Sequence, residues 1–133
     1  MISLETIGYY TDRKGSQSYP FPLSSFYPDT GNFIGFVGNN PSSVFLMKAI
    51  TSFRRHAKVP SEGGIVPAFI PGAGWSDHWS FWQMGYPAIM ITDTAPFRYP
   101  FYHTPQDTID KITFEPFAKA VSGLIRVLQE LAA

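Results

Sequence analysis

The chain has 133 residues, enough for one domain that buries roughly two thirds of the surface its unfolded form exposes, and its ten basic and ten acidic residues are interspersed. Without a charge block there is no electrostatic footprint for nucleic acid or an anionic membrane, so neither is expected as a partner; without cysteine there are no disulfides or thiolate metal sites, which leaves His, Asp and Glu as metal ligands. Aromatic residues make up 17% of the chain, beside twelve Pro and eleven Gly, so much of it is expected to be rigid loop around aromatic anchors.

The opening Met1-Ile2-Ser3-Leu4-Glu5 lacks the basic and apolar regions of a signal peptide. No apolar run reaches the ~18 residues of a membrane span, and a soluble chain is expected. Ile2 to Tyr10 reads as a strand on Ile2, Leu4, Ile7 and Tyr9. A strand with no lead-in suggests that Met1 is an internal methionine and that the chain is the C-terminal portion of a larger domain.

Thr11 to Gly31 carries Gly15, Pro20, Pro22 and Pro28 among Tyr19, Phe21, Phe26 and Tyr27. It exceeds the ~12 to 15 residues usual for structureless connections, which marks it as functional or as missing its neighbours. Phe33 to Gly38 reads as a second strand. Asn40 and Pro41 then open a helix to about Ala57, with Val44, Met47, Ile50, Phe53 and Ala57 on its apolar face and Arg54 and Arg55 suited to its C-terminus.

Gly64 to Ile70 is a third strand, placed at an edge or bulged by Pro67. Ser76 caps a short helix, Asp77 to Met84, stopped by Gly85. Tyr86 to Asp93 is the strongest strand, apolar on both faces as in a parallel sheet covered by helices. A proline-stiffened loop leads to Thr113, which caps a last helix over Phe114 to Ala132, with Phe117, Val121, Leu124, Leu128 and Leu131 on its buried side. Strands alternating with helices predict an α/β layered fold with a mainly parallel sheet.

In such sheets ligands bind beyond the carboxyl ends of the strands. Glu5 lies between apolar neighbours, where a carboxylate must be paired, bind a metal or face solvent. Asp77 sits in the first turn of a helix, where an anion is favoured on electrostatic grounds alone. With His78, and with Trp75, Trp79 and Trp82, it could also wall a pocket that excludes water. His103 stands on a loop braced by Pro100 and Pro105, suited either to a metal or to a plain polar role. Phosphate-loop, dinucleotide, H-E-x-x-H and G-x-S-x-G signatures are absent.

Ser3-Leu4-Glu5-Thr6-Ile7-Gly8-Tyr9, Ser76-Asp77-His78 with Gly85-Tyr86-Pro87-Ala88, and Tyr102-His103-Thr104 with Asp107-Thr108, followed by the terminal helix, together resemble the C-terminal half of the di-zinc aminopeptidases, relatives of the glutaminyl cyclases. The resemblance covers nearly the whole chain in order. It implies an incomplete three-layer sandwich, cleavage of N-terminal residues from peptides, two zinc ions, and secreted or periplasmic placement. By the matching motifs Glu5 would be the carboxylate of one zinc and His103 the histidine of the other. Asp77, His78, Trp75, Trp79 and Tyr102 would belong to the substrate pocket, whose aromatic walls would favour an apolar N-terminal residue.

In the family the first histidine, the bridging aspartate and an adjacent glutamate pair precede the Glu5 motif. The chain alone is therefore expected to bind zinc weakly or not at all and to be inactive. Other readings are a non-catalytic peptide-binding module and a structural remnant. A sheet missing its other half also predicts self-association through an exposed edge.

Overall fold

A computed structural model describes all of residues 1–133. Four strands form one sheet: β1 (Ile2–Glu5), β2 (Ile34–Gly38), β3 (Ser61–Ile65) and β4 (Ile89–Thr92), in the order β1-β4-β2-β3. β1 runs parallel to β4 and β2 parallel to β3, while β2 and β4 are antiparallel. The α/β class and the mainly parallel sheet are thus as the sequence implies, with one antiparallel junction at the centre. Three helices complete the fold: α1 (Ser43–His56), α2 (His78–Gln83) and α3 (Phe114–Ala132). None is long and apolar enough to cross a membrane.

Strand alternation divides the sheet into two faces. Ile34 and Phe36 of β2 and Ile89 and Ile91 of β4 meet Leu46, Ala49, Ile50 and Phe53 of α1 and Ala120, Leu124 and Val127 of α3 in one core. The Phe36 and Phe53 rings lie 5.3 Å apart, fully buried. The other face carries Ser3 and Glu5, Met90 and Thr92, Gly35 and Val37, and Glu62 and Gly64, as the strand registers require. That face is roofed by loops, chiefly the long Thr11–Gly31 segment, which is tied down by Thr11 N–H to Gly31 O, Gln17 N–H to Asp29 O and Ser18 N–H to Phe97 O.

Several boundaries differ from those read in the sequence. β1 stops at Glu5 because Thr6 turns into the left-handed region, φ 49°. Residues 6–10 then leave the sheet for the start of α3, where Thr113 donates its N–H to Gly8 and its hydroxyl bridges the N–H and C=O of Tyr10. That tertiary tie occupies the side chain expected to cap α3.

α1 is preceded by a short 3-10 turn whose cap is Asn39, with Oδ1 accepting from Ser42 N–H, one residue before the expected Asn40. Its buried face is Leu46, Ala49, Ile50 and Phe53, whereas Val44 and Met47 are exposed. Apolar residues lie on both sides of this helix, and only packing selects the stripe. Likewise α3 buries Ala120, Leu124 and Val127, with Phe117 and Leu131 half-buried against the core and Leu128 exposed.

β3 begins at Ser61, earlier than Gly64, and is an edge strand. Its glycines hid it, since they weaken a strand signal, yet close approach requires them. A Cβ on Gly63 would lie 2.7 Å from Ile50 Cδ1, and one on Gly64 2.4 Å from the Tyr27 hydroxyl. β4 is shorter than Tyr86–Asp93 but buried at all four positions, as a central strand should be.

Candidate active site

On the face opposite α1 and α3 lies an open cleft. The sheet supplies its floor through Glu5, Thr92, Met90, Gly35, Val37, Glu62 and Gly64. Tyr19, Pro20, Leu23 and Tyr27 of the long loop form one wall, and Ile70 to Ala73 with Trp75 form another. Thr94, Pro96, Phe97 and Tyr102 close the end beyond β4. The lining is predominantly apolar, with Glu5 and Glu62 as its two carboxylates and no basic side chain.

A buried polar scaffold holds this end together. Arg98 donates from Nε to Gln17 Oε1 at 2.7 Å and from one terminal nitrogen to the carbonyls of Phe33 and Tyr9, and its guanidinium lies 4.6 Å from the Phe33 ring centre. Burial lowers its pKa to about 10 against the opposing pull of Asp93. Gln17 and Thr94 exchange hydrogen bonds, which sets the long loop against the residues after β4. Asp93 accepts from Tyr9 N–H at 2.8 Å, and burial raises its pKa above the usual carboxylate value. Arg98 carried no signal in the sequence because its partners are 65 to 89 residues distant.

Glu5 stands at the carboxyl end of β1, at the cleft floor, half-buried. Tyr102 lines the same cleft, and its hydroxyl pKa is raised by burial and then by the charge of Glu5. His103 is exposed, with φ 55°, and its imidazole stacks on the Tyr102 ring at 3.8 Å. The fold thus brings Glu5 and Tyr102 to the cleft, while His103, stacked on Tyr102, is not among the cleft's lining residues.

Of the other residues singled out in the sequence, Trp75 lines the cleft, whereas Asp77, His78 and Trp79 are not among its lining residues. Asp77 is exposed at the N-terminus of α2 and makes no capping hydrogen bond. Trp79 packs its indole edge over Gly74. His78 is fully buried; Nε2 lies 2.7 Å from Ala73 O, its ring meets Trp82 edge-on at 4.5 Å, and burial lowers its pKa. Ser76 binds the Ser3 hydroxyl, tethering the start of α2 to β1.

A sequence model of peptidase family M28 matches residues 37–127. The chain belongs to peptidase family M28. The matched span includes Tyr102-His103-Thr104 and begins after Glu5. The chain is also 45% identical over 131 residues to YfbL of Escherichia coli strain K12, described as an uncharacterized protein; the alignment covers 96% of this chain and 40% of YfbL. The chain therefore spans less than half the length of that relative.

M28 is a family of zinc-dependent peptidases, so the donors of this M28 chain can be weighed against zinc. A carboxylate and an imidazole are suitable ligands, but a catalytic zinc takes three from protein. No group of three His, Asp or Glu side chains comes together anywhere in the chain. His78 is withdrawn into the interior with Nε2 engaged, and Asp77 points to solvent outside the cleft lining. The residues present do not by themselves make a catalytic zinc site, and no reaction step through the metal follows from them.

Proposed function

We propose that the chain is the C-terminal part of a zinc-dependent aminopeptidase-like hydrolase that removes N-terminal residues from peptides, and that it is inactive alone. The supporting observation is that Glu5 and Tyr102, the neighbour on which His103 stacks, line one largely apolar cleft on a family M28 chain. In this reading Glu5 and His103 each supply one ligand to a two-zinc centre, whose chemistry when assembled is to activate water and polarise the scissile carbonyl. The remaining ligands and the general base come from polypeptide outside these residues, consistent with a relative more than twice as long.

The chain's own part is to bind and orient. Tyr19, Tyr27, Trp75 and Phe97 surround the substrate's first side chain and exclude water from it. The substrate amine would lie at the Glu5 end of the cleft, where the metal centre would assemble, with Tyr102 beside it.

The test is hydrolysis of amino-acyl chromogenic amides with added zinc, by the chain alone and by the chain coexpressed with the part of YfbL outside the matched region. Turnover is expected only from the coexpressed pair, and it should be lost with Glu5→Ala or His103→Ala. Turnover by the chain alone that both substitutions abolish would overturn the claim of inactivity. Full turnover and zinc content in the substituted pair would overturn the ligand assignment.

A further inference from the structure

The strand registers align four residues in one row across the cleft floor. Glu5 pairs with Thr92, Thr92 with Gly35, and Gly35 with Glu62. Both ends of this row are carboxylates and both line the cleft. Three strand spacings separate their α-carbons, roughly 14 Å, and between them the floor carries only a threonine and a glycine.

Glu62 has no hydrogen-bond or ion-pair partner of its own, although it is half-buried among apolar and aromatic side chains. The hydroxyls beside it are committed elsewhere: Tyr27 donates to Gly63 O and Tyr19 to Pro28 O. Arg54, which reaches β3, gives its donors to the hydroxyl and carbonyl of Ser61. Tyr19 and Tyr27 lie 5.8 Å apart, centre to centre, and their ring faces could take an adjacent cation. A carboxylate without a partner beside two aromatic rings is open to an incoming cation.

We infer that Glu62, with Tyr19 and Tyr27, forms a cation subsite at the far end of the cleft, selecting a substrate whose first side chain has an apolar stem and a positively charged tip. The inference rests on the peptidase reading for the word substrate, but the subsite needs only the cleft. In the metal-free chain, where Glu5 holds no zinc, an α-ammonium at Glu5 and a lysine-type ammonium roughly 6 to 7 Å further on, each with a charge-assisted hydrogen bond of about 2.8 Å, fit within the roughly 14 Å between the two strand positions. The stem would lie over Gly35 and against the aromatic wall, as long basic side chains bury their methylenes while presenting the charged head. Arginine offers the same chemistry through a guanidinium.

Binding to the metal-free chain tests this without any turnover. L-lysinamide and L-norleucinamide share the same four-carbon stem and differ only in that lysine carries a terminal ammonium where norleucine carries a hydrogen. Calorimetric titration should show lysinamide binding at least tenfold more tightly, with the amide signals of Gly63 and Gly64 shifting in nuclear magnetic resonance spectra. Glu62→Gln should bring lysinamide down to norleucinamide and leave norleucinamide unchanged, which also shows that the variant is folded. Glu62→Lys should reverse the order, favouring norleucinamide. Equal affinities in the unsubstituted chain, a preference that survives Glu62→Gln, or no binding of either amide would each overturn the subsite. A failure of the zinc and turnover assays would leave these affinities as they are.

Discussion

His78 provides a direct test of how burial and titration combine in this fold. Its ring is fully buried, with Nε2 facing Ala73 O and Nδ1 facing no partner. Nε2–H therefore donates in the neutral ring, and protonation would place a second N–H where nothing accepts it. Burial lowers the pKa, with the Ala73 carbonyl, Asp77 and Glu5 opposing in that order. The unfolded chain has the ordinary histidine value near 6.5, so below it the unfolded state binds more protons than the folded state. Stability is then full above that value and declines as pH falls from 6.5 toward the lowered folded pKa.

The loss between pH 7.5 and 5.5 is at most about 1.4 kcal/mol, the limit for a folded ring that takes up no proton. With an m value of about 1 to 3 kcal/mol/M, that corresponds to a fall of roughly 0.5 to 1.4 M in the urea midpoint. The measurement is urea unfolding at pH 7.5, 6.5 and 5.5 for the natural chain and for His78→Gln. Glutamine retains an N–H donor for Ala73 and cannot titrate. The variant should be less stable at pH 7.5, having lost its packing on Trp82, and should show a flatter pH profile. Parallel profiles for the two proteins would refute the reasoning.

Three other substitutions probe the packing and the sheet edge. Ser42→Ala removes the hydroxyl that accepts from the buried Ala88 N–H and donates to Asn39, and should cost about 1 to 3 kcal/mol in chemical unfolding. Gly123→Ala would gain up to about 1 kcal/mol in helix propensity, but its Cβ would stand 2.5 Å from Ala57 Cβ and 2.8 Å from a Phe53 ring carbon. The clash should prevail, for a net loss of about 1 to 2 kcal/mol, and a rise in melting temperature would contradict the close packing of α1 on α3. The outer edge of β1 has no strand partner and Leu4 is exposed, so concentration-dependent self-association is expected in sedimentation runs, reduced by Leu4→Lys. A clean monomer at high concentration would remove that expectation.

The amino-acid sequence alone determined the features that local chemistry controls. Apolar runs and helical periodicity disclosed the α/β class, the extent of α3 and the strand at β4, since these depend on residues within a few positions of one another. The Tyr102-His103-Thr104 motif, inside the span that matches the family, was equally legible. What the tertiary structure decided depends on contacts distant in the chain. Both α1 stripes are apolar enough to be buried, and only the sheet selects Leu46 and Ala49 over Val44 and Met47. His78, beside Asp77 in a Trp-rich stretch, was legible as a pocket residue but lies in the interior because α2 turns its ring toward Ala73 and Trp82. The alignment of Glu62 with Glu5 depends on three strand registers, and shifting any one by a single residue would send one glutamate to the opposite face.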